Sequence, residues 1–240
     1  MEPSTLRKQA RRTLFKGVVC APAFRTCLLA TLLGLTLLTP MPASAQTASN
    51  TNLNAQLLVA ARQADMPAVQ RALARGAAPD SRNRLGKTVL LIAAERGNLA
   101  MAAAAMTAGA NVNLASVNRV TPLMAASYVG QVELVKALLA AGARADLQDH
   151  LHKSAIIYAA GQGHAEVVGL LLEGGVSVDL AYEHQLTALM WAAGQGSVAT
   201  TQLLLARSAR SDLRDDRGLT AADIARQAGM APVLALLDGR

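Results

Sequence analysis

The chain has 240 residues, with 23 Lys and Arg against 16 Asp and Glu, which gives a formal net charge of +7 at pH 7. Six of the basic residues but only one acidic residue, Glu2, lie in the first 45 residues, and both cysteines, Cys20 and Cys27, lie there too. If that segment is removed, the net charge falls to +2 (17 basic against 15 acidic residues), which is too small to indicate nucleic-acid binding. Disulfide bonds, thiol catalysis and cysteine metal ligands are then excluded as well.

Residues 1–45 have the order of a secretory signal peptide. Basic residues lie between Arg7 and Arg25, a Leu-rich apolar run follows at residues 27–38, and an A-x-A pattern stands at residues 43–45. We therefore expect cleavage after Ala45 and export to the periplasm of a bacterium, with no stable membrane insertion afterwards. An uncleaved membrane anchor is the alternative, although the apolar run is too short to cross about 30 Å of hydrocarbon.

The leader contains two competing indications of the export route. Residues 11–16 read Arg-Arg-Thr-Leu-Phe-Lys and resemble a twin-arginine signal, which would imply export of the folded protein. Arg25 stands just before the strongest apolar stretch, an arrangement that favours ordinary Sec export. We favour the Sec route, and the twin-arginine route stays open.

Residues 46–52 consist of Gln, Thr, Ala, Ser and Asn and are predicted to form a disordered linker. An ordered domain is expected to follow at residues 53–240. Its first segment, residues 53–81, keeps Gly76 and several apolar residues at positions that have counterparts about 33 residues later. This segment lacks the threonine and the hairpin of the later units, so we expect it to be an N-terminal cap.

A 33-residue period runs through the rest of the chain. Its markers are Thr88, Thr121, Ser154, Thr187 and Thr220. An alanine follows each marker after five residues and a glycine after nine, as Ala126 and Gly130 follow Thr121. A hydroxyl side chain can cap the start of a helix, and a glycine at positive φ can end one. The period therefore predicts repeated pairs of helices and not a single globular core.

Residues 121–126 read Thr-Pro-Leu-Met-Ala-Ala and resemble the T-P-L-H-x-A signature of ankyrin repeats. The resemblance implies an all-α ankyrin-repeat solenoid, built from helix-turn-helix units with projecting β-hairpin loops. Full repeats are expected at residues 82–114, 115–147, 148–180 and 181–213, followed by a C-terminal cap at residues 214–240. The resemblance also implies a non-enzymatic scaffold that binds another protein.

Some positions depart from the pattern of the repeat. The hairpin glycine is replaced in the middle units by Arg119, His152 and Gln185. Ser208 stands where a glycine should end the second helix of the fourth full repeat. A non-glycine residue held at positive φ costs about 1–2 kcal/mol, so we expect that junction to be strained or rearranged.

Aromatic and apolar residues mark a candidate binding surface. Outside the leader, the aromatic residues all lie within residues 128–191, and the predicted hairpin tips carry apolar residues. Aromatic side chains often anchor protein interfaces, and exposed apolar patches usually mark interaction sites. The predicted partner-binding residues are Tyr128, Leu151, Lys153, Tyr158, Gln162, Glu183, His184, Leu186, Trp191 and Gln195. Leu186 is expected to be exposed, so that its replacement by Asp should spare the fold.

The favoured function is protein binding in the periplasm, as an inhibitor, an immunity factor or an assembly partner of an exported enzyme, with no cofactor. The sequence contains no motif of a nucleophile elbow, a phosphate loop or a zinc protease. A metal-dependent hydrolytic enzyme is the alternative. Its ligands would be His150, His152, Glu183 and His184, which lie on successive predicted hairpin tips, because imidazole and carboxylate groups suit zinc or nickel.

Overall fold

A computed structural model describes residues 43–239, with side chains from residue 51 onward. Within that range it contains twelve α-helices, one 3₁₀ turn at Glu183–Gln185 and no β-strand. The helices are α1 Ala43–Gln63, α2 Met66–Ala74, α3 Val89–Glu95, α4 Leu99–Thr107, α5 Pro122–Val129, α6 Val132–Ala140, α7 Ala155–Gln162, α8 Ala165–Glu173, α9 Ala188–Gly194, α10 Val198–Ala206, α11 Ala221–Gln227 and α12 Ala231–Asp238. The predicted all-α fold class is confirmed.

The N-terminal segment differs in part from the expectation. Residues 1–42 of the predicted signal peptide lie outside the described residues, and its cleavage after Ala45 stays a prediction. Residues 46–52, expected to be a disordered linker, belong to α1 in the structure, and neither glycine nor proline interrupts this stretch. None of the helices within residues 43–239 is long and apolar enough to cross a membrane.

The helices form two rows. The inner row consists of α1, α3, α5, α7, α9 and α11, and each of these helices contacts the next one in the row. The outer row consists of α2, α4, α6, α8, α10 and α12, which contact one another in the same order. Each outer helix also packs against the inner helix of its own unit. One continuous apolar core therefore extends from Leu53 to Leu237, as in other solenoids of stacked repeats.

Hydroxyl caps begin four of the five inner helices from α3 to α11, as predicted. The side-chain oxygen accepts a hydrogen bond from the backbone N–H three residues later at Thr88, Thr121, Thr187 and Thr220. The prediction is wrong for Ser154, whose side chain makes no cap bond. The hydroxyl of Ser154 is buried near the hydroxyl of Tyr182, a residue of the following repeat, and α7 begins without a side-chain cap.

The turns use left-handed backbone conformations where the sequence predicts them. Glycines that follow the inner helices have φ values from 63° to 80°, and those that follow the first four outer helices have values from 85° to 92°. Ser208 occupies the corresponding position after α10 with a φ of 63°, so the strain expected at this junction is confirmed.

Replacing Ser208 by glycine should stabilise the protein. The change removes about 1–2 kcal/mol of left-handed strain, while the greater freedom of glycine in the unfolded chain offsets about 0.5–1 kcal/mol. We expect a net gain of about 0.5–1 kcal/mol, or about 1–4 °C in melting temperature. Thermal and urea denaturation measure it. Ser211→Gly is the matched control, because Ser211 has a negative φ, and this change should destabilise the protein. If Ser208→Gly is no more stable than the original chain, the backbone at Ser208 is not strained.

Candidate functional site

Five tight turns project just before the inner helices, and we call each of them a finger. In every finger the N–H of the first residue donates to the C=O of the fifth at 2.9–3.1 Å. Fingers one to five comprise residues 83–87, 116–120, 149–153, 182–186 and 215–219. Each finger is a hairpin turn whose ends are joined by this single backbone hydrogen bond, and it is not part of a regular β-hairpin. Because each leads directly into an inner helix, the fingers and the inner row border a common surface, which we call the groove.

Four fingers are locked by the side chain of their first residue. In finger three, Asp149 Oδ1 accepts hydrogen bonds from the N–H groups of Leu151 and Lys153 at 2.8 and 2.9 Å. Asn83 and Asp215 make the same two bonds in fingers one and five, and Ser116 makes one of them in finger two. Such bonds from a short polar side chain to nearby backbone fix the shape of a turn.

Finger four lacks this lock because its first residue is Tyr182. The ring is buried, and burial raises the pKa of the Tyr182 hydroxyl while the nearby Ser154 hydroxyl acts in the opposite direction. Neither hydroxyl makes a hydrogen bond of regular geometry to the described residues. The turn also holds two successive non-glycine residues, His184 and Gln185, at φ values of 59° and 57°. Finger four is therefore both strained and unlocked.

Backbone hydrogen bonds join neighbouring fingers at three of the four junctions. They run from N–H to C=O between Val117 and Leu85 (3.0 Å), His150 and Asn118 (3.2 Å), and Asp216 and His184 (3.1 Å). The equivalent groups at the remaining junction are the Glu183 N–H and the Leu151 C=O, and no bond joins them in the part of the chain that the structure describes. The fingers thus divide into a group of three and a group of two.

The missing backbone hydrogen bond between fingers three and four predicts uneven hydrogen exchange of the backbone amides along the row of fingers. The Glu183 amide should exchange at least about tenfold faster than the equivalent Asp216 amide, because amides without a protein acceptor exchange through small local openings. Hydrogen exchange followed by NMR, corrected for intrinsic rates, measures the ratio. The amides of Val117 and His150 serve as controls and should behave like that of Asp216. Equal protection of Glu183 and Asp216 would contradict the break.

An aromatic pair lies at the centre of the inner row. The rings of Tyr128 and Tyr158 meet edge to face, with centroids 5.9 Å apart and an angle of 85° between the ring planes. The Tyr158 hydroxyl donates to Asp149 Oδ2, so the side chain ties α7 to finger three. Burial, followed by this bond to Asp149, raises the pKa of Tyr158. Tyr158 therefore stays a neutral hydrogen-bond donor at ordinary pH.

A second aromatic contact bridges the junction between fingers three and four. Lys153 Nζ lies 4.5 Å from the ring centroid of Trp191, a cation–π contact worth about 0.5–1 kcal/mol at an exposed site. Side chains therefore connect finger three to α9 where the backbone bond between the fingers is missing.

Three cavities follow one another along the groove. The first, of about 310 Å³, is lined by Glu95, Val120, Tyr128 and Tyr158 among others. The second, of about 320 Å³, is lined by residues that include Leu151, Lys153, Glu183, His184, Leu186 and Trp191. The third, of about 390 Å³, shares Leu186 and Trp191 with the second and adds Gln195 and Arg217. Each cavity is large enough for one or two side chains of a partner.

Nine of the ten predicted partner-binding residues line these cavities, and their role in binding stays a prediction. Gln162 is exposed at the end of α7 and lines none of the three. The expectation that Leu186 is exposed was wrong, because this side chain is half-buried and packs against the core. Leu186 is the last residue of its finger and lies at the base of the turn, next to α9, and not at the tip.

The sequence-based set omits two apolar residues that the structure places at finger tips. Leu85 and Val117 are 61% and 59% exposed, close to the 60% of Leu151, and Tyr128 follows at 51%. These four are the most exposed large hydrophobic residues in the described part of the chain. Their only sequence signal is an apolar side chain in a predicted hairpin. We call these four residues, which lie on fingers one to three and on α5, the tip surface.

The histidines proposed as metal ligands do not form a compact cluster. His150 Nε2 bonds to the Val117 C=O at 2.9 Å, whereas His184 lies 3.8 Å from Glu183 and 3.4 Å from Asp216. Among the described residues, no three His, Cys, Asp or Glu side chains are placed so that they could hold a metal ion. The alternative of a metal-dependent enzyme therefore gains no support from this geometry.

The repeated helix pairs, their caps and the projecting fingers define a class of repeat protein, and comparison with known families names it. The family described as ankyrin repeats (3 copies) matches residues 57–149, 123–215 and 156–238. These matches together span most of the chain, which belongs to the ankyrin-repeat family. Ankyrin repeats act as scaffolds for protein–protein interaction. A search of curated proteins found no match.

Proposed function

We propose that this chain binds a protein partner through the groove and the tip surface. The observation that carries the proposal is that the four most exposed large hydrophobic residues of the described chain lie on neighbouring fingers one to three and on α5. Apolar side chains at the tips of turns are unfavourable in water unless something covers them, and such patches usually mark interaction sites. The cavities beside them can receive the anchor side chains of a partner.

The proposed role is that of a binding protein and not of an enzyme. Tyr158 and Asp149, the most closely coupled polar pair of the groove, satisfy each other and hold finger three in place. Such a pair serves structure, because neither group is left to act on a substrate. We propose that the partner is an exported protein whose activity or assembly this chain controls.

We further propose that binding takes place in the bacterial periplasm. The support is the order of the leader, in which basic residues, a short apolar run and Ala43-Ser44-Ala45 follow one another. Protein recovered from the periplasm should begin at Gln46, as N-terminal sequencing can establish. A recovered protein that begins at Met1 would contradict cleavage.

Photo-cross-linking in the cell tests the binding surface. A benzoyl-phenylalanine residue replaces Leu151 on the tip surface, or Leu99, which is 42% exposed on the outer helix α4 and serves as the control. We expect a discrete protein adduct from position 151 and none of that mass from position 99. Identical adducts at both positions, or no adduct at position 151, would contradict the proposal.

A further inference from the structure

Each of the first three fingers carries a cationic side chain that forms no ion pair with a carboxylate in the described part of the chain. Arg84 and Arg119 are exposed, and neither side chain has an ion-pair or hydrogen-bond partner among residues 51–239. Lys153 rests on the ring of Trp191 and likewise has no carboxylate partner there. Three uncompensated cations therefore lie one per finger along the tip surface.

The carboxylates beside these fingers are already engaged. Glu95 forms an ion pair with Lys87 at 2.7 Å. Asp149 is buried and accepts hydrogen bonds from two backbone N–H groups of finger three and from the Tyr158 hydroxyl. A molecule that approaches fingers one to three therefore meets three cations at the surface, while the carboxylate of Asp149 is buried beneath them.

The charge changes sign at the junction where the backbone bonds between fingers are interrupted. Fingers four and five present Glu183 and Asp216, whose carboxylates lie on either side of His184 at 3.8 and 3.4 Å. Among the fingers, the positive excess is therefore limited to the first three; exposed arginines without a carboxylate partner among the described residues also occur at Arg71 and Arg75 of α2 and its end.

Each cation stands next to an apolar tip. Arg84 precedes Leu85, and Arg119 and Lys153 each lie two residues after an apolar tip. Opposite charge across an interface guides association and sets the register of the partner, while apolar contacts supply most of the affinity. A matching surface therefore needs carboxylates and apolar side chains in alternation.

We propose that the partner presents an acidic segment to this surface, in which Asp or Glu alternate with apolar residues. Its carboxylates pair with the three cations, and its apolar side chains cover the tips and enter the 310 Å³ cavity that Tyr128 and Tyr158 help to line. This inference rests on the proposed function, to which it adds the chemistry of the partner.

A narrow segment fits the geometry better than an anionic membrane. The tips alone could meet a flat bilayer, but the 310 Å³ cavity is lined by residues of the inner helices α3, α5 and α7 and by the last residue of finger two. A segment with side chains of different lengths can reach the tips and the cavity together. Burial of both surfaces requires a partner that enters the groove.

The test is a selection of random dodecapeptides displayed on phage, with the purified protein as target in about 50 mM salt, where charge is weakly screened. We expect the enriched peptides to have a mean net charge of about −2 or lower together with apolar residues. The double variant Arg84→Glu/Arg119→Glu should bind them at least about tenfold more weakly. The control Arg71→Glu/Arg75→Glu makes the same change of charge at exposed positions of α2 and its end, and should bind normally.

The variant Arg119→Gly distinguishes the effect of a lost charge on binding from an effect on folding. Arg119 has a φ of 60°, so glycine relieves strain while it removes a cation, and we expect a variant that is at least as stable but binds the acidic peptides more weakly. This result would exclude misfolding as the cause of lost binding.

Several outcomes would overturn the inference. They are an enriched pool of neutral or basic peptides, no enriched peptide at all, or acidic peptides that bind the double variant as well as the original chain. Arginine-dependent binding to vesicles of about 70% phosphatidylcholine and 30% phosphatidylglycerol, with no competition by acidic peptides, would assign the surface to a membrane instead. If the enriched peptides are neutral and Leu151→Asp abolishes their binding, the partner segment is not acidic, but the proposed binding surface stands.

Discussion

Replacement of Gly130 by alanine is expected to destabilise the protein by about 3 kcal/mol. Gly130 ends α5 with a φ of 80°, and a Cβ at this position would lie 2.5 Å from ring atoms of His164. The left-handed backbone costs a residue with a side chain about 1–2 kcal/mol. Displacement of the ring adds about 1–3 kcal/mol of overpacking, and it disturbs the contact of His164 Nε2 with the Tyr128 C=O at 3.0 Å.

Gly229→Ala is the matched control for this prediction. Gly229 occupies the same position in the last unit with a φ of 72°, but a Cβ there would meet nothing within 4 Å. It should therefore cost only the backbone strain of about 1–2 kcal/mol. Urea denaturation of both variants, followed by circular dichroism, compares the two losses. If Gly130→Ala is no more destabilising than Gly229→Ala, His164 does not hold the turn as described.

Replacement of Leu151 by Asp should weaken binding of the cross-linked partner by about 30-fold or more, equivalent to about 2 kcal/mol. Leu151 is exposed at the tip of finger three and lines the 320 Å³ cavity, so a partner that covers the tip surface must contact it. Because the side chain is exposed in the free protein, the fold should change in stability by no more than about 0.5 kcal/mol.

Leu99→Asp makes the same chemical change on α4 and should leave the affinity unchanged. Isothermal titration calorimetry of the two variants provides the comparison, with melting temperatures as the check on folding. Leu186 would be a poor choice for this test, since its half-buried side chain contacts the core and a charge there would disturb folding as well. Equal affinities of the original chain and Leu151→Asp would show that the tip surface does not bind the partner.

The repeat positions were predictable from the sequence because each has a local cause. Thr121 and Gly130 begin and end a helix through their own side chain and backbone, and the 33-residue period carries the same causes along the chain. Ser208 could be recognised as strained for the same reason, since a glycine stands at the equivalent position of the other units.

The features that the sequence did not predict depend on contacts between repeats. The burial of Leu186 and the inward position of Tyr182 arise where one repeat packs on the next, and no periodicity within a repeat records them. Ser154 matched the hydroxyl position of its neighbours, yet the ring of Tyr182 from the following repeat fills the space beside it. The uncompensated charge of Arg84 and Arg119 likewise emerged only when the partners of the nearby carboxylates were known.

The most direct test of the binding surface is hydrogen exchange of the chain with and without its cross-linked partner. If the partner binds the groove and the tip surface, we expect its presence to slow amide exchange at fingers one to four and at the inner helices α5, α7 and α9. Exchange at the outer helices α4, α6, α8 and α10 should be unchanged. Protection confined to the outer helices, with the fingers unaffected, would contradict it.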